Sequence, residues 1–219
     1  MAKVAHYYTK FEAGNFYHIY NRTVDKKPMF KNDGNYEFFL RKYDEYLSAV
    51  VDTYAYCLLG NHFHMLIRIK QDLTTSQDLT TFQKLSNLKN TYNPKTTHDI
   101  VSHQFRKFFQ SYAMAFNKQH DRVGTLFQTP FKRAHLDSDA YFTGLIYYIH
   151  ANPQNHGLIA DFRDWRWSSY NRILTLKPSK LKKQEVIEWF HDKISYEGYH
   201  DDVHKNLSGN DFNLDDDIR

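Results

Sequence analysis

The chain has 219 residues, 29 Lys and Arg against 25 Asp and Glu, a net charge of +4 and a mean hydropathy of -0.72. No apolar run reaches the roughly 18 to 20 residues of a membrane span, and the opening residues Met1-Ala2-Lys3-Val4 lack the apolar core of a signal peptide. Cys57 is the single cysteine, which excludes an internal disulfide framework and suits a soluble protein of the reducing cytoplasm. The polar composition also carries 17 Tyr and 17 Phe, so flat rings and cations are both abundant, a combination that suits stacked bases and phosphates. Acid is concentrated from Glu197 to Arg219, which leaves the body more basic than the total implies and favours a polyanionic partner.

In chain order, residues 15–23 follow Gly14 with β-branched and aromatic side chains in rough alternation, and predict a first strand. Pro28 and Lys31-Asn32-Asp33-Gly34 mark a loop. From Asn35 to about Val50 the apolar positions Tyr36, Phe39, Leu40, Tyr43 and Leu47 recur at three and four, the period of an amphipathic helix. Residues 51–59 and 62–69 are β-prone and flank Gly60-Asn61, which predicts a hairpin. The polar residues 71–93 read as a surface excursion.

A second helix is expected from about Asp99 to Asn117, with Val101, Phe105, Phe108, Tyr112 and Phe116 at helical spacing. Residues 125–136 read as a strand interrupted at Pro130. Ser138 is a suitable N-cap and Asp139 a suitable first-turn acid for a third helix, expected to stop near Asn152 because Pro153 follows. A last helix is expected over 182–192. From residue 209 the acidic tail reads as disordered. Strand hairpins mixed with crossover helices predict an α+β fold with a mainly antiparallel sheet and helices on one side.

Two local patterns carry chemistry. In a strand His62 and His64 share one face while Phe63 and Met65 share the other, so two imidazoles stand together as a candidate metal pair. On the third helix Gly144, Tyr148 and Asn152 form a row at i, i+4 and i+8, beside the core stripe Phe142, Ile146 and Ile149. Such a row can present a phenol as nucleophile and an amide oxygen as metal ligand. Tyr147 falls about 100° away, on the side farther from the core stripe. Phenol ionises near pH 10, so a metal or cation is needed either to favour phenolate or to activate the group it attacks.

Four ordered segments together resemble the REP-associated tyrosine transposases of the HUH single-tyrosine superfamily. They are Asn61-His62-Phe63-His64, Thr125-Leu126-Phe127-Gln128 with Phe131-Lys132, the run from Tyr147 to Pro153 with Gly157-Leu158, and the run from Asp164 to Tyr170. The resemblance spans about 15–170, with Gly60 where the family often has an apolar residue or proline. It implies a ferredoxin-like or RRM-like sheet, a divalent cofactor (Mg²⁺ or Mn²⁺), and cleavage of single-stranded, hairpin-bearing DNA through a 5′-phosphotyrosine. It implies His62, His64 and Asn152 as metal ligands and Tyr148 as nucleophile, in a monomer or homodimer. A domain over 1–172, a helical extension over 173–208 and a tail over 209–219 follow. Arg22, Lys107, Lys132, Arg133, Trp165, Arg166 and Trp167 are candidates for contacts with the nucleic acid. A hairpin-DNA-binding or RNA-binding protein that does not cut is the alternative.

Other constellations lead nowhere. Leu66 stands where a histidine-triad hydrolase needs a third histidine, and there is no P-loop, dinucleotide-binding glycine motif or cysteine pair. His200 and His204 lack the glutamate of a zinc-protease helix and read as an exposed pair near the acidic tail. Cys57 reads as a small core residue.

Overall fold

The computed structural model of the chain describes residues 9–73, 96–136 and 140–206. The sheet is built from β1 (Phe16–Arg22), β2 (Val51–Leu58), β3 (His62–Ile69) and β4 (Lys132–Leu136), in the order β2-β3-β1-β4 with every neighbouring pair antiparallel. Helices α1 (Asp33–Leu47) and α2 (Thr97–Gln119) cross between strands, completing a β-α-β-β-α-β unit of ferredoxin-like order. Both helices start where the sequence supplies a cap: the Asn32 side chain accepts from Asn35 N, and Thr96 with Asp99 forms a capping box.

The α+β expectation holds, and the strand and helix periods place β1, α1, the β2–β3 hairpin and α2 close to their observed bounds. Helices on one side hold only for α1 and α2. They pack on the Phe63 and Met65 face with Phe39, Phe105, Phe108 and Tyr112, all buried. The other face carries Leu66 and Cys57 and is covered by α3 (Ala140–Asn155), whose Leu145, Ile146 and Ile149 are buried on it. A sheet apolar on both faces must be covered twice.

Three further expectations need correction. Helix α3 does not stop at Pro153 but runs to Asn155. Proline in the last turn removes one backbone bond, while His156 N still donates to Asn152 O and Leu158 N to Pro153 O, with Gly157 at φ +68° closing the end. Of the strand expected over 125–136 only β4 is regular; before Pro130 the chain makes a single bridge, Thr23 to Phe127. After a short 3-10 turn (Phe162–Asp164) come α4 (Tyr170–Leu174), α5 (Lys183–Trp189) and α6 (Lys193–Asn206). Within the helical extension expected over 173–208 the sequence places only the helix over 182–192, and α4 and α6 are not set apart there.

His200 of α6 is fully buried, not exposed as expected, because α6 packs against α3 and covers it. Val186, Phe190 and Tyr196 enter the same core as α3, so the chain beyond Arg172 completes that core. The excursion over 71–93 falls mostly outside the described residues, as do Ser138, Asp139 and the tail from residue 209.

Candidate active site

Strand alternation carries His62 and His64 to the α3 face, with ring centroids 5.4 Å apart. The Asn61 amide is held by its Nδ2, which donates to the Lys26 carbonyl at 2.7 Å, so its Oδ1 faces His62 Nδ1 at 2.7 Å. A carboxamide oxygen only accepts; His62 therefore carries its proton on Nδ1 and presents a lone pair at Nε2. His64 Nδ1 lies 3.0 Å from Nε2 of His18, on the neighbouring strand β1, and both rings are buried. Tyr20 stands opposite His64 in the β1–β3 register and stacks on His18 at 4.9 Å.

Helix α3 supplies the facing row. The Tyr148 ring meets His64 edge-on at 5.5 Å and His18 at 6.1 Å. One turn on, Asn152 is fully buried; its Nδ2 donates to the Tyr148 carbonyl at 3.0 Å. Its Oδ1 is buried with no hydrogen-bond partner among the described residues. An acceptor left in that state costs about 1 to 3 kcal/mol, so something that accepts its lone pair is chemically wanted there. One more turn on, the exposed His156 places its ring 5.0 Å from His62.

The structure thus brings the predicted His62, His64 and Tyr148 together, sets Asn152 one turn from Tyr148 on the same helix, and adds His18 and His156. His156 continues the Tyr148 and Asn152 row at i+8, a position that the helical period reaches because α3 does not end at Pro153. His18 shares strand parity with Tyr20, but only the β1–β3 register brings it to His64. Tyr148 is 2% exposed, so α3 and the sheet cover the phenol in this conformation. Among the described residues no three His, Cys, Asp or Glu side chains are grouped to hold a metal.

The helix that carries Tyr148 is held from behind by α6 through Tyr147 and His150. Tyr147, expected to face away from the core, is buried; its hydroxyl and His204 Nδ1 are 2.9 Å apart. Burial pushes the Tyr147 phenol up to about 12. On the other side His200 Nδ1 donates to the Tyr196 carbonyl at 2.7 Å, which leaves His200 Nε2 to accept from His150 Nδ1 at 3.0 Å. His150 Nε2 then accepts from Ser169 Oγ at 2.7 Å, and Ser169 Oγ accepts from Tyr56 N at 2.9 Å. One proton per bond satisfies this chain, with both imidazoles neutral. Burial lowers His200 to about 4 and His150 well below the ordinary histidine value.

The expected nucleic-acid contacts divide between the two faces. Arg22, opposite His62 in the register, and Lys132, whose Nζ lies 5.5 Å over the Tyr20 ring, share the histidine face. Arg133 packs over Phe11 and Phe131 on the other face, and Lys107 lies on α2. Trp167 is buried in a stack with Tyr36 at 4.4 Å, and Trp165 Nε1 donates to the Leu58 carbonyl. Arg166 pairs with Asp33 and borders a cleft of about 830 Å³ between α1 and residues 166–181.

No protein-family model matches the chain, and no curated protein does. Among solved structures, a REP-associated tyrosine transposase bound to a REP hairpin matches with a TM-score of 0.55 and 15% sequence identity, over 81% of this chain and 89% of that one. The chain has that transposase's fold. At this identity the transposase fold is what the match carries: a four-stranded antiparallel sheet with helices on both faces. No helix among the described residues is long and apolar enough to cross a membrane.

Proposed function

We propose that this chain cleaves and rejoins single-stranded, hairpin-bearing DNA through a covalent tyrosine intermediate, with Tyr148 as nucleophile. The observation that carries the reading is the facing of two rows. Tyr148 lies edge-on to His64, and one turn away Asn152 buries an oxygen with no hydrogen-bond partner among the described residues. A neighbour of the same fold solved with a REP hairpin bound supports a hairpin as the substrate class.

The residues fit a divalent ion such as Mg²⁺ or Mn²⁺: His62 and His64 offer nitrogens and Asn152 an oxygen, a mixed set better matched to Mn²⁺. When bound, such an ion polarises the scissile phosphate and neutralises its developing charge. The phenol oxygen of Tyr148 attacks phosphorus and gives up its proton as the bond to the 3′-oxygen breaks. That oxygen takes a proton and leaves as a free hydroxyl, and the phosphodiester energy is kept in the phosphotyrosine for rejoining. Arg22 and Lys132 sit on the same face as cations for the strand. Because Tyr148 is covered, α3 must draw back from the sheet for a strand to reach it.

The test is a labelled single-strand cleavage assay with Mn²⁺ or Mg²⁺ on hairpin substrates. The wild-type chain is expected to form a covalent adduct and Tyr148→Phe none; an adduct with Tyr148→Phe overturns the nucleophile. His62→Ala is expected to bind Mn²⁺ at least tenfold more weakly by calorimetry. The covered phenol also favours a second reading, a hairpin-binding protein that does not cut. Hairpin binding without cleavage under any metal selects that reading, and tighter binding to the same hairpin made of RNA selects an RNA partner.

A further inference from the structure

His18 is used by none of the roles above, although it is buried at the centre of the site. Its Nε2 lies 3.0 Å from His64 Nδ1, its ring stacks on Tyr20 at 4.9 Å, and the Tyr148 ring stands edge-on to it at 6.1 Å. A hydrogen bond between two imidazoles needs one N–H and one lone pair, so the tautomers of the pair are tied together. We propose that His18 is a positioning residue: it accepts the Nδ1 proton of His64, fixing that ring so that Nε2 presents its lone pair to a divalent cation.

The parallel with His62 supports the assignment. Asn61 Oδ1 takes the Nδ1 proton of His62, and by this inference His18 Nε2 takes that of His64, so both histidines offer the same nitrogen to the same face. The two devices come from different places. Asn61 adjoins His62 in the chain, whereas His18 is 46 residues from His64 and arrives through strand pairing. Outer partners of this kind fix ring orientation and typically change metal affinity 10- to 100-fold. The inference rests on the proposed metal site, but the tautomer of His64 is measurable without metal.

The experiment uses the full chain labelled with ¹⁵N at histidine, with His64 assigned by comparison with His64→Gln. The expected metal-free spectrum shows His64 protonated on Nδ1 and His18 unprotonated on Nε2. His64 protonated on Nε2 overturns the proposal. His18→Phe, which keeps a ring of similar size but no lone pair, is expected to weaken Mn²⁺ binding 10- to 100-fold by calorimetry with native circular dichroism. His18→Gln, which restores an acceptor, is expected to recover most of that affinity. Wild-type Mn²⁺ affinity in folded His18→Phe also overturns the proposal. A wild-type chain that binds no Mn²⁺ removes the metal reading instead, while the His64 tautomer still decides whether His18 is the acceptor.

Discussion

Lowering the pH from 6.5 to 5 is expected to remove about 2 kcal/mol of stability through His200 alone, from a total of the order of 5 to 15 kcal/mol. The ring is fully buried between His150 and the Tyr196 carbonyl. Burial takes its pKa from 6.5 to about 4, against the opposing pull of the Tyr196 carbonyl and Asp201. In the unfolded chain the same side chain takes up a proton below pH 6.5, while the folded chain stays neutral down to about 4. Between those values the unfolded state holds more protons, so stability falls as pH falls, by about 3 kcal/mol over the whole window. The assay is urea unfolding of wild type and His200→Gln at pH 7, 6 and 5. At pH 7 the substitution itself should cost about 2 to 4 kcal/mol, because Gln can stand in for the Nε2 acceptor but not for the Nδ1 proton that His200 gives to the Tyr196 carbonyl, and the cavity is imperfectly refilled. Below pH 6.5 the variant should lose less with acid than wild type does, the residual slope coming from other groups, His150 among them. Equal slopes in the two proteins refute the neutral chain through His200.

Phe39 is fully buried and its ring meets Phe63, Phe108 and Tyr112, so Phe39→Ala should cost about 3 to 5 kcal/mol by denaturant titration. Thr96→Ala removes the α2 capping box and should cost about 1 kcal/mol in the same measurement. Asp33→Ala breaks an ion pair with Arg166 in which both side chains are more than half exposed, and should move stability by less than about 1 kcal/mol.

The sequence by itself determined the first three strands, the two crossover helices and the two halves of the candidate site, because each is a short-range period. Alternation puts His62 with His64, and the helical repeat puts Tyr148 with Asn152; His156 joins the row only because α3 runs past Pro153. Charge and aromatic content named candidate contacts, but it took the register to separate Arg22 and Lys132, on the histidine face, from Arg133, on the other. Local pattern misread α6: its residues look polar and acidic, yet His200 and Tyr196 point into the α3 core and are fully buried there. Only the tertiary structure decided that α3 covers the second face of the sheet, that His18 meets His64 across β1 and β3, and that α6 grips the helix carrying Tyr148. Those are contacts between residues 46 to 57 apart in the chain, set by strand pairing and helix packing, and no local period encodes them.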